Sequence, residues 1–142
     1  MGSARLLIFL PFLLFAACGD GAREGPASPA GPDLPEWCYG TWELSGHGGG
    51  LSGEGDLSLL GKSIRMTLTR DRRLVMTRPG APDRSGTFSV REGPTIFSEE
   101  PMLFLVCEEL GMEQVIQREG EDGLLLSENH YDGFQTSYRR VE

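Results

Sequence analysis

Apolar and polar side chains alternate with period two from Trp37 to the C-terminus, and turn residues interrupt the alternation about every eight to twelve positions. The clearest run is Lys62 to Thr69, where Ile64, Met66 and Leu68 point to one side and Ser63, Arg65 and Thr67 to the other. Such alternation marks a strand with one buried face. Comparable runs are Trp37 to Ser45, Gly55 to Leu60, Arg73 to Arg78, Gly86 to Arg91, Thr95 to Ser98, Met102 to Glu108, Glu113 to Arg118, Leu124 to Ser127 and Gln135 to Val141. Glu99 to Leu110 is the best helical candidate, but Pro101 and the β-rich Leu103 to Val106 favour strand. Turns are expected at Gly61-Lys62, Asp71-Arg72, Pro79-Gly80, Glu92-Gly93, Gly111-Met112, Asp122-Gly123 and Asp132-Gly133. About eight to ten short strands joined by short hairpins predict an all-β fold, a small antiparallel up-and-down β-barrel, since closure leaves no sticky edge. An open two-sheet sandwich is the alternative.

The N-terminal pattern is different. Arg5 precedes the apolar run Leu6 to Phe15, about half of the roughly 20 residues a membrane-spanning helix needs. A positive start, a short apolar stretch and small residues form a secretory signal, to be set aside from the fold. The order Phe15-Ala16-Ala17-Cys18 resembles the lipobox of bacterial lipoproteins, with Phe15 where leucine is commonest. The resemblance implies that residues 1–17 are cut away and that Cys18 becomes a lipidated N-terminus, its acyl chains, such as palmitate, holding the protein to a membrane. Gly19 after the cysteine points to the periplasmic face of the outer membrane. The alternative is an ordinary secretory signal with Cys18 as a spare thiol.

Residues 18–35 then read as a flexible tether, rich in proline and glycine and too poor in large apolar groups to offset backbone entropy. The folded domain is expected over residues 36–142, roughly 107 residues, enough for one core. Losing Arg5 makes the net charge of −8 one unit more negative. An acidic chain with a single lysine excludes nucleic acid and anionic bilayers as electrostatic partners, so membrane attachment falls to the lipid. With Cys18 assigned to lipid, Cys38 and Cys107 are an even pair, which in an exported domain reads as a disulfide. Two buried thiols are the other possibility.

Gly40-Thr41-Trp42-Glu43-Leu44 opens the domain and Thr136-Ser137-Tyr138-Arg139-Arg140 nearly closes it. This pairing resembles the calycin superfamily, especially the lipocalin-like domains of bacterial lipoproteins. The resemblance implies that the Trp42 indole plugs one barrel end and that Arg139 or Arg140 packs across it, a contact of about 0.5 to 2 kcal/mol. Parity places Tyr138 and Arg140 on one face and Arg139 on the other. Fatty-acid-binding proteins share the opening motif but follow it with a helical lid, where this chain has the glycine-rich stretch Gly46 to Gly53, expected as a loop. A small eight-stranded barrel either fills its interior with side chains or holds one small ligand, and the apolar supply here suits either.

The remaining chemistry is thin. His47-Gly48-Gly49-Gly50 looks like an oxyanion loop, yet no Gly-x-Ser-x-Gly supplies a nucleophile. His130, with Glu128 or Asp132, is a candidate metal cluster that lacks zinc spacing. Glu99-Glu100, Glu108-Glu109 and Glu119 to Asp122 lack the ligand order of a calcium loop. Arg70, Arg72 and Arg73 form the one basic cluster, at an expected hairpin tip where arginines stay solvated. The sequence therefore predicts a non-enzymatic envelope lipoprotein with no cofactor and no metal, binding a small hydrophobic ligand or an envelope protein, or else an interaction or inhibitor module that works through its loops.

Overall fold

The structure, a computed structural model, describes residues 31–50 and 63–141. The signal segment, Cys18, most of the tether and the expected strand Gly55 to Leu60 lie outside the described residues. Among the described residues, nine strands form one antiparallel sheet: β1 (Gly40–Gly49), β2 (Arg65–Leu68), β3 (Arg73–Thr77), β4 (Arg84–Thr87), β5 (Ser89–Gly93), β6 (Met102–Cys107), β7 (Met112–Glu119), β8 (Gly123–Ser127) and β9 (Phe134–Arg140). Their order is β4-β3-β2-β1-β9-β8-β7-β6-β5. The two ends of that order are consecutive in the chain, with only Phe88 between them. The expected strand Gly86 to Arg91 is therefore one bent strand whose first half bonds to β3 and whose second half bonds to β6. The sheet returns on itself as a nearly closed barrel, as the alternation predicted.

The seam is fastened on β4's free edge. The Glu109 carboxylate accepts the Thr87 N–H at 3.1 Å, and a Cβ at Gly86 would stand 2.6 Å from the Cys107 sulfur and 3.0 Å from the Glu109 side chain. Only glycine lets the two approach.

Inside the barrel lie Trp42, Met66, Leu68, Leu74, Phe88, Val90, Leu105, Cys107, Ile116, Leu124, Leu126 and Tyr138. Strand parity puts Phe104, Val115 and Ser127 on the opposite, outer face, where Phe104 pairs with Val115 and Val115 with Ser127. All three are nevertheless buried. The segment 94–101 covers them, since its contacts with Asn129, beyond β8, require it to cross β6 and β7. Two-sided burial explains why β6 reads as a continuous apolar run.

Several local expectations change. Thr95 to Ser98 belongs to this covering loop and is not a strand, and Glu92-Gly93 ends β5 and makes no turn. Glu36–Cys38 is a 3-10 turn, and β1 begins only at Gly40. It runs through Gly49, so the expected glycine loop is paired strand up to there. Ser45 is a bulge between the Leu44–Tyr138 and Gly46–Ser137 pairs. The extra residue reverses parity, turning His47 to the side that Trp42 and Leu44 occupy. The last tether residues also dock: Leu34 belongs to the core, and Arg72 donates to Asp33 at 2.8 Å and to the Gly31 carbonyl at 3.1 Å. Arg70 pairs with Glu36. Within the cluster expected to be solvated, Arg72 instead holds the incoming chain against the barrel, while Arg70 stays exposed in its ion pair with Glu36.

Candidate functional site

The two barrel ends differ. One end carries the start of β1, the end of β9, the β2–β3 turn and residues 31–39. Gly40 adopts φ 133°, a conformation side chains rarely take, and the chain then turns from the 3-10 segment into β1, setting Trp42 into the core. The Trp42 indole N–H donates to the Cys38 carbonyl at 2.9 Å. Arg140 lies over the indole, its guanidinium carbon 4.2 Å from the ring centroid. The same guanidinium donates to the Tyr39 carbonyl at 3.0 Å and to the Trp37 carbonyl. Of the two candidate arginines the inner one is Arg140; Arg139 is exposed. Arg118 stands over the Trp37 ring at 5.7 Å. This end is filled.

Cys38 and Cys107 are free, buried thiols, and the expected disulfide is absent. Cys38 sits under the Trp42 plug, whereas the Cys107 thiol is committed to the seam, donating toward the Glu109 carboxylate at 3.6 Å. Burial pushes the Cys38 thiol up to about 12, with Arg140 opposing, and burial likewise raises Cys107. Glu109 is held below the usual carboxylate range by its own backbone N–H and that of Thr87.

At the other end the described residues leave a hollow. The β3–β4 hairpin, the residues before β2 and the start of β7 enclose a cavity of about 200 Å³. Its walls are Ile64, Met76, Leu110 and Met112, with Arg78 and Arg84 beside them. Neither arginine forms an ion pair with a described residue. Across the mouth, the His47 ring stacks on Phe134, centroids 5.2 Å apart, and its Nδ1 lies 2.9 Å from the Thr136 hydroxyl. His47 is thus a strand residue in a stacked, hydrogen-bonded position rather than part of an oxyanion loop.

His130 stands apart at the β8–β9 hairpin tip, with Nε2 3.2 Å from Glu128 and Nδ1 3.2 Å from Asp132. No group of three or more metal-ligating side chains is assembled among the described residues. Sequence reasoning missed Arg78 and Arg84, because two arginines six positions apart carry no motif until the hairpin sets them at one cavity.

No protein-family model, curated protein or solved structure matches the chain. What the fold and the site define is an all-β, nearly closed antiparallel barrel, plugged at one end and, among the described residues, hollow at the other.

Proposed function

We propose that the protein is a non-enzymatic lipoprotein of the bacterial cell envelope, a lipocalin-like barrel whose open mouth takes a small, largely apolar ligand. The observation that carries this reading is the asymmetry of the barrel, plugged by Trp42 and Arg140 at one end and, among the described residues, hollow at the other. Thioether and alkyl groups floor the cavity, while Arg78 and Arg84 favour a ligand with an anionic end. At about 200 Å³ the space is smaller than the roughly 300–1,000 Å³ typical of drug-sized ligands. It suits a small molecule or the terminus of a longer chain.

The lipobox-like sequence supports attachment through Cys18, in the outer membrane facing the periplasm. Residues 31–35 join the barrel at its plugged end, so the mouth points away from the side on which the tether arrives. Cys18→Ala is expected to move the protein from the membrane to the soluble fraction and to abolish palmitate labelling; unchanged fractionation would dismiss the anchor. For the ligand, native mass spectrometry of the full chain bearing Cys18→Ala, exported in a bacterial host, is expected to find a co-purified small molecule. Met76→Trp, which fills the cavity, should remove it. A clean apo mass, with no binding of octanoate or octanol by titration, would remove the ligand-binding reading.

A further inference from the structure

The loop 94–101 and the β8–β9 hairpin 128–133 meet on the outer wall of the barrel and share no residue with the lining of the mouth cavity. Asn129 joins them: its Oδ1 accepts the Ile96 N–H at 2.9 Å, and its Nδ2 donates to the Pro94 carbonyl at 3.3 Å. The loop is also braced internally, with the Phe97 N–H donating to the Thr95 hydroxyl at 3.2 Å and the Glu100 N–H to the Ser98 hydroxyl at 3.0 Å. Beneath it lie the buried Phe104 and Val115. The hairpin is equally constrained: the Gly133 N–H donates to the His130 carbonyl at 3.0 Å, and the Phe134 N–H to the Glu128 carboxylate at 2.9 Å.

On this braced base four apolar side chains stand beside the hydroxyls of Thr95 and Ser98. Pro94, Ile96, Phe97 and Tyr131 line a shallow groove with Glu99 at its edge. Tyr131 is 95% exposed and Ile96 40%. The braced tip has little backbone entropy left to lose on contact, so ordering falls on the Tyr131 side chain with its two rotatable bonds, and tyrosine is among the residues that dominate protein interfaces. The charge on the two segments is negative. Residues 92–101 and 128–133 contain Glu92, Glu99, Glu100, Glu128 and Asp132 and no lysine or arginine, and the adjoining Arg91, which lies over the Phe104 ring, is paired with Glu113.

We propose that this groove is a docking surface for an extended segment of a partner protein in which Lys or Arg alternates with apolar residues. The apolar positions meet Ile96 and Tyr131, and the cations meet the surrounding carboxylates. An open groove on a wall suits a peptide chain, and the carboxylates repel an anionic bilayer.

The test uses the full chain bearing Cys18→Ala and two fluorescein-labelled twelve-residue peptides, one alternating Lys with Leu and the other Glu with Leu, followed by anisotropy at low and physiological salt. The basic peptide is expected to bind at least tenfold more tightly than the acidic one. Tyr131→Ala should weaken it at least tenfold, and so should the pair Glu99→Lys and Glu100→Lys. The pair Glu121→Lys and Asp122→Lys, in the β7–β8 turn at the plugged end, carries the same charge change and should alter affinity less than twofold. Equal loss in both charge-reversal pairs, or no effect of Tyr131→Ala, would overturn the proposal as mere net-charge attraction. A concentration-dependent dimer that Tyr131→Ala abolishes would overturn it in favour of a second copy as the occupant.

Discussion

Arg140 joins three parts of the plugged end at once, because one planar guanidinium stacks on the Trp42 ring while donating to the carbonyls of Tyr39 and Trp37. A hydrogen bond contributes about 1 kcal/mol net and the cation–π contact about 0.5 to 2 kcal/mol. Arg140→Gln should therefore lower the unfolding free energy by about 2 to 3 kcal/mol in urea titration, and Arg140→Lys should recover only part of the loss, since an ammonium cannot reproduce the fork. A difference below about 0.5 kcal/mol would show that Trp42 needs no partner. Ser127 gives the opposite expectation. Its hydroxyl is fully buried under the 94–101 loop with no hydrogen-bond partner among the described residues. Ser127→Ala removes an unsatisfied polar group and should stabilise the protein by about 1 kcal/mol, measured in the same titration.

At the scale of elements, the seam between β4 and the 3-10 turn after β6 depends on one carboxylate. Hydrogen bonds from the Glu109 and Thr87 backbone lower the Glu109 pKa, so this contribution is present above the unfolded value and is lost as pH falls through the folded one. Protection of the Thr87 amide from hydrogen exchange, taken relative to the intrinsic rate at each pH, is expected to fall on acidification, and Glu109→Ala should lower it at neutral pH without changing protection in β7 and β8. Thr87 protection that ignores both would place the closure elsewhere. The strands themselves were legible because alternation is a local property: Ile64, Met66 and Leu68 face inward as their spacing requires. Two features broke that reading. The Ser45 bulge reverses parity within β1, and nothing in Leu-Ser-Gly-His announces an extra residue. The loop 94–101 buries the outer face of β6, which leaves Phe104 and Leu105 both apolar and makes the run uninformative about which faces the barrel.

For the whole molecule, the buried acids set an alkaline limit. Burial raises Cys38 and Tyr138 to about 12 each and raises Cys107 as well. Above about pH 9 the unfolded chain has released thiol protons that the folded chain retains, so it binds fewer protons and stability falls as pH rises. Each such group shifts the folding equilibrium by roughly tenfold per pH unit until its folded value is reached. Thermal melts from pH 7 to 11 should decline above pH 9, and Cys38→Ala should flatten the decline. Intact-mass analysis after alkylation of the denatured protein without reductant should find both thiols of the pair free. A native bridge would instead leave them unmodified and weaken the alkaline slope.

The sequence alone determined that the chain is all-β and where most strands lie, because strand periodicity and turn residues are local signals, while the pairing of Trp42 with one of two terminal arginines was implied by the resemblance of its two ends to the calycins. Tertiary structure decided what depends on which segments meet. It selected Arg140 over Arg139, left Cys38 and Cys107 as free buried thiols, paired Arg70 and Arg72 with residues 31–36, and set Arg78 and Arg84 around an apolar mouth. Those outcomes follow from sheet closure, which joins residues far apart in sequence through hydrogen-bond register and packing, and no one-dimensional pattern encodes that register.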